Sequence, residues 1–264
     1  MQMTTIPCAL CHEMRPLLHS HFLPAALYKN LLDPNGPIKN MIVSNGAVAS
    51  EESKQVSQSL LCQDCEILFQ KGGESWVLAR RLMPDGKFPL RDILKAETPV
   101  QTSKNGDIIY EAASIPGIAP EQLVYFAASI FWRGAVADWK LPTGEYKRLG
   151  LAPTLLEAFR KYLLGEQPFP SDVGILLHVS AATQPIQTAF PPYPVNEGGQ
   201  GFHFYVPGML FTLLIGQDSF LPASLAHHPN RLAISSAGDD FMHEAGVRHV
   251  VKSQPTETLK KKLP

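Results

Sequence analysis

Cys8-Ala9-Leu10-Cys11 and Cys62-Gln63-Asp64-Cys65 are the two stretches that decide how this chain is read. They hold all 4 of its cysteines, and in each pair a two-residue spacer lets both sulfurs face one ion. Four thiolates so arranged are the ligand set of a closed, tetrahedral structural zinc site. The segment between the pairs is longer than in a compact zinc ribbon, but loop-closure entropy grows only with the logarithm of loop length, so it can fold back at little cost. Neither pair sits in a βαβ pattern, which argues against a redox dithiol. Zinc on Cys8, Cys11, Cys62 and Cys65 is the expectation, with residues 1–75 organised around it.

Outward from the cysteines, Asp33-Pro34-Asn35-Gly36 and Asn45-Gly46 are turn signals, and residues 33–59 read as a loop or loose insertion. Leu60, Leu61, Ile67 and Leu68 predict a helix beginning near the second cysteine pair, with Gly72-Gly73 as its end. Residues 76–118, interrupted by Pro84, Pro89, Pro99 and Pro116, read as short strands and turns. Pro120-Glu121 then opens the clearest helix, running to about Trp139, with proline and an acidic residue in the first turn. Its apolar residues nearly encircle it, from Leu123, Phe126 and Ile130 to Tyr125, Phe131 and Trp132, so it is expected at the centre of the core. A second helix is expected over 154–164 and a strand over 173–179. Pro207-Gly208, the signature of a type II turn, joins strands over 202–206 and 209–215. The end from Ser253, with Lys260-Lys261-Lys262, reads as a solvated tail.

With 264 residues, 45% of them hydrophobic and 18% charged, the chain can bury a sizeable core. Its net charge of −1, from 23 basic and 24 acidic residues, removes any global electrostatic pull toward nucleic acid or an anionic membrane. No apolar run approaches the roughly 20 residues that span a bilayer. The first ten residues lack the basic start and apolar run of a secretory signal, so a reducing cytoplasm is expected.

Between the cysteine pairs lies His19-Ser20-His21-Phe22-Leu23-Pro24. With these residues the chain resembles the four-cysteine HNH nucleases. Those have a C-x2-C knuckle, an Asp-His or His-His followed by an apolar residue and proline, and a second C-x2-C at a helix start followed at once by His or Asn. The resemblance covers residues 8–74 and implies a treble clef in which the strand histidine activates water and its preceding residue joins the helix residue on a divalent metal. His21 falls at the general base, and Glu66, directly after Cys65, at the metal-binding helix position, where Glu suits a hard ion such as Mg²⁺ or Mn²⁺. Two positions depart from the pattern: Ser20 stands where an Asp or His ligand is expected, and Ser57 or Gln58 where the middle Asn lies. With Phe131-Trp132-Arg133 further on, the layout resembles a bacterial group of HNH-related proteins in which Ser20 and Glu66 belong to a variant site.

The residues also admit plainer roles. His21 can hydrogen-bond backbone, Glu66 can favour the helix dipole, and Glu74 can complete a metal site if the helix turns that way or be a solvated carboxylate. His19 is expected on the face of His21 by strand alternation, where it can substitute for a missing ligand, and His12 is expected to line the knuckle. Arg133, a guanidinium within an apolar helix, calls for a carboxylate or phosphate partner, and Asp138 does not face it well. His227-His228, His243 and His249 have no metal-binding spacing. The expected molecule is an α+β protein: an N-terminal treble-clef zinc module (1–75), a mixed helical and β domain (76–252) and a flexible tail (253–264). Its expected function is a divalent-metal-dependent nuclease or, from a different class, a non-catalytic zinc-stabilised module that binds protein or nucleic acid.

Overall fold

A computed structural model describes residues 6–30, 41–44, 48–52, 55–102, 108–141, 144–146, 148–181, 189–195, 201–216, 231–237 and 254–261. The fold is α+β. Strand β1 (Leu17–His21), which leads into the short helix α1 (Ala25–Asn30), pairs antiparallel with β4 (Ser57–Cys62), and helix α2 (Gln63–Phe69) follows directly on β4. The knuckle at Cys8–Cys11 packs on this unit, its Ala9 N–H donating to the Leu60 carbonyl at 3.0 Å. Knuckle, strand pair and helix start make the treble clef.

The pairing is interrupted: Leu18 opposes Leu61, but His19 opposes Ser59, so Leu60 is an extra residue on β4. This bulge turns the Leu60 carbonyl out of the ladder and toward the knuckle. On the other side Ser20, fully buried, accepts the Leu61 N–H at 3.0 Å through its hydroxyl. The bulge thus leaves neither backbone group unpaired.

Three expectations about this half are corrected. Leu60 and Leu61 lie in a strand, and the helix starts only at Gln63. Gly72-Gly73 does not end it, since α2 runs through a π-turn (Gln70–Glu74) into α3 (Ser75–Leu78). The glycines serve close packing instead. A Cβ at Gly73 would stand 2.4 Å from the Gln122 carbonyl oxygen, and one at Gly72 2.4 Å from the Tyr125 ring. Nor is 33–59 wholly a loop, because β2 (Met41–Ser44) and β3 (Val48–Glu52) pair antiparallel within it. The two turn dipeptides of that stretch lie outside the described residues.

Across the glycines runs α5 (Pro120–Val136), where the sequence places the central helix, though it stops short of Trp139. Proline opens it because a first-turn N–H has no intrahelical partner to lose. Phe126, fully buried, meets Phe204 and Phe211 edge-on at 5.8 and 5.5 Å, so this face lies on the large sheet. The π-turn packs on α5 beside Gln122 and the backbone of Phe126, and α6 (Pro153–Leu163) packs alongside. Each large side chain so buried contributes about 1.5–3 kcal/mol.

That sheet has seven strands in the order β10-β11-β12-β9-β13-β6-β5. Its centre is the expected strand β9 (Val173–Ser180), antiparallel to β12 (Met209–Ile215) and parallel to β13 (Leu232–Ala237). Hairpin β11 (Gly201–Val206) to β12 turns at Pro207-Gly208 as expected, with Gly208 at φ 79, a conformation that favours glycine. Edge strands β10 (Phe190–Pro194) and β5 (Gln101–Thr102) complete it, with β6 (Ile108–Tyr110) between β13 and β5. Short ribbon β7 (Lys140–Leu141) with β8 (Gly144–Glu145) follows α5.

Residues 76–118 contain a helix in addition to the expected short strands: α4 (Pro89–Lys95) buries Leu90 and Leu94. At the C-terminal end, β14 (Gln254–Pro255) adds to β3 in parallel and α7 (Glu257–Lys260) buries Leu259 completely, so this segment is packed where a solvated tail is expected. One connected cluster of buried side chains runs from Cys8 through α5 to Ile234.

Candidate functional site

Cys8, Cys11, Cys62 and Cys65 come together with their sulfurs all within 4.8 Å of one another. Cys11 Sγ stands 3.9 Å from Cys62 Sγ. A tetrahedral zinc with Zn–S bonds of about 2.3 Å requires sulfurs about 3.8 Å apart, so the residues fit the ion. The knuckle makes its turn through His12, which takes φ 61, with its N–H donating to the Cys8 carbonyl at 2.9 Å. The Cys62 N–H donates to Cys8 Sγ at 3.3 Å, a contact that favours thiolate. Donation from Cys65 holds the Cys8 thiol well below its ordinary range, to about 4, and the same bond, with burial, pushes Cys65 up. Burial also raises Cys11. From α6, Arg160 donates to the Leu10 carbonyl at 2.9 Å and ties the knuckle to the rest of the chain.

A cleft of about 410 Å³ opens at the start of α2, where Gln63 and Glu66, the chain neighbours of Cys62 and Cys65, line it. His21 from the end of β1 lines it, with Glu66 from the first turn of α2, Glu74 from the π-turn and Arg133 from α5. Leu18, Pro24 and Ile67 are among the residues that form its apolar wall. The structure therefore brings His21 and Glu66 to one cavity. The neighbouring Phe22 anchors His21 there: it is buried, stacked on Trp139 at 4.7 Å, and its N–H donates to the Val56 carbonyl at 3.0 Å.

Four other residues fall differently. His19 is exposed and does not line the cleft. His12 is exposed on the knuckle. Ser20, in the place of an expected ligand, is spent on the Leu61 N–H. Glu74 is not solvated: its side chain is 12% exposed and accepts from Arg133 Nη1 at 2.7 Å. This is the partner that Arg133 calls for, and Glu66 Oε2 lies 3.9 Å from its Nη2. The guanidinium, 2% exposed, also lies over the Phe69 ring at 4.7 Å. Among the described residues, Glu66 Oε1 and Arg133 Nε are buried without a hydrogen-bond partner. Glu74 was legible as an acid close to the second knuckle; its pairing with Arg133, far along the chain, carries no local signal.

The four cysteines are the only group among the described residues in which three or more His, Cys, Asp or Glu side chains could share a metal ion. No helix among them is long and apolar enough to cross a membrane. Set beside family profiles, curated proteins and solved structures, the chain matches none of them.

Proposed function

We propose that this is an HNH-related zinc protein that hydrolyses phosphodiester bonds of nucleic acid in the cleft at the start of α2, with His21 as general base and Glu66 as its acidic partner. The observation that supports it is that His21, on β1, and Glu66, on α2, line one cavity, and that Cys65, the chain neighbour of Glu66, is one of four cysteines that fit zinc. In this reading residues 1–75 are the working module, 76–252 its support and 253–264 an appendage. A four-thiolate zinc is coordinatively closed, so its part is to fix β1 against α2, and the chemistry falls to the cleft. Neutral imidazole accepts a proton from water near neutral pH, and His21 at the cleft wall would do so for a water aimed at phosphorus.

Glu66 Oε1, buried without a donor among the described residues, is an acceptor suited to a cation. Mg²⁺ or Mn²⁺ is commonly held by one or two carboxylates together with substrate phosphates, so one such oxygen is a sufficient contribution from the chain. When bound, such an ion supplies charge stabilisation to the phosphate.

The test incubates zinc-loaded wild type and His21→Ala with single- and double-stranded DNA and RNA, with and without Mg²⁺ or Mn²⁺. Wild type is expected to cleave only with a divalent ion, and His21→Ala to lose at least about 100-fold in rate with unchanged zinc content and unfolding midpoint. Cleavage that survives in His21→Ala removes His21 as the base.

A second reading is a non-catalytic, zinc-stabilised module that binds protein or nucleic acid. It is favoured by the Arg133 guanidinium, which already brings one positive charge toward Glu66 and Glu74. Binding of a nucleic acid without product from folded, zinc-loaded wild type would select it.

A further inference from the structure

We propose that Arg133 sets the cation capacity of the cleft: its guanidinium stands between Glu66 and Glu74 in the role of a resident cation, so that the cleft takes a divalent ion on Glu66 alone. The proposal rests on the cleft being the working site, and it assigns to α5, outside residues 1–75, a direct part in it.

Three side chains carry the argument. Arg133 is 2% exposed, and a guanidinium is not deprotonated in a protein, so its charge in the wall is permanent. Its Nη1 is held by Glu74 at 2.7 Å, while its Nη2 is only loosely opposed by Glu66 at 3.9 Å. The two carboxylates are therefore unequal. Glu74 is engaged as an acceptor, and Glu66 keeps one oxygen with no partner among the described residues. Two carboxylates converging on one cleft are ordinary ligands for a hard divalent ion. A fixed positive charge between them opposes a second cation at short range, where charges a few ångströms apart in a protein wall interact strongly. Beside His21 the cleft then carries two carboxylates and one guanidinium, leaving Glu66 to meet a metal that arrives with phosphate.

A merely structural Arg133, present only to neutralise buried acids, would alter stability when replaced and leave cation binding alone. The two roles separate in a titration with Mn²⁺ alone, followed by the electron paramagnetic resonance of the free ion, on full-length zinc-loaded protein without nucleic acid. Arg133→Met, which keeps the length and removes the charge, is expected to tighten Mn²⁺ binding by at least about tenfold. Adding Glu66→Gln to that variant is expected to abolish the gain. Arg133→Lys, which keeps the charge, is expected to stay within about threefold of wild type. Glu74→Gln, which frees the guanidinium to close on Glu66, is expected to weaken binding.

Arg133→Met that retains zinc and a cooperative unfolding transition, yet binds Mn²⁺ no more tightly than wild type, overturns the proposal. If Arg133→Met does not fold, Glu74→Gln decides, and Mn²⁺ binding that is unchanged or tighter there overturns it. Because no nucleic acid is present, loss of the nuclease reading leaves this titration intact, and the two can fail separately.

Discussion

Ser20 occupies a position where the resembled nucleases carry a metal ligand, yet it is fully buried, with the Leu61 N–H donating to its hydroxyl. That bond is what the bulge at Leu60 requires, since the displaced ladder leaves the Leu61 N–H without a strand partner. Ser20→Ala is expected to cost about 1–3 kcal/mol, the penalty for a buried donor left unsatisfied, as read by denaturant unfolding. Ser20→Asp is expected to cost more, because a carboxylate there would be buried without a counter-charge. A midpoint unchanged in both variants would show that water or another group serves Leu61. Ser20 is therefore no route to a second metal ligand. From the sequence it looked like a gap in a site, because the bulge that employs it depends on a pairing register invisible in local pattern. Cys8, Cys11, Cys62 and Cys65 were legible because their spacing alone carries the geometry of the ion.

Helix α5 is the element that the sequence declares most clearly, and the π-turn, α6 and the sheet all pack on it. Its apolar residues surround it for that reason. Phe126→Ala, on the sheet side, is expected to destabilise by about 3–5 kcal/mol through the cavity left against Phe204 and Phe211. Gly73→Ala tests the contact of α5 with the π-turn. Helix propensity alone would make alanine stabilising by about 1 kcal/mol. The Cβ would instead press within 2.4 Å of the Gln122 carbonyl, and overpacking of this kind costs about 1–3 kcal/mol, so net destabilisation is expected in thermal unfolding. A more stable Gly73→Ala would mean that the two helices stand further apart. In the sequence the same two glycines read as the end of α2. A glycine pair that ends a helix and one that admits a neighbouring helix look alike until the neighbour is known. Helix α4, opened by Pro89 with Leu90, Ile93 and Leu94 at helical spacing, was legible but was masked by the prolines around it.

Over the whole molecule, the buried cluster that begins at Cys8 continues without a break through α5 into the central sheet. One zinc per chain is expected by metal analysis under reducing conditions, and its removal by a chelator is expected to lower the stability of the entire chain in a single cooperative transition, because binding energy at such a site is also folding energy. Two resolved transitions, with only the first sensitive to chelator, would contradict this. The α+β class, the central helix and the Pro207-Gly208 hairpin could be read from periodicity and turn chemistry. The order of the seven-stranded sheet could not, since β13 lies parallel to β9 and antiparallel to β6 through contacts between residues far apart in the chain. The Arg133 contacts with Glu66 and Glu74 have a consequence for recombination. A chimera grafting residues 1–75 onto a foreign domain would keep the cysteines and His21, but it would inherit two acids facing a cleft with no guanidinium between them. Such a chimera is expected to need an arginine from the acceptor, so that the unit to transplant is the cysteine segment and the central helix together.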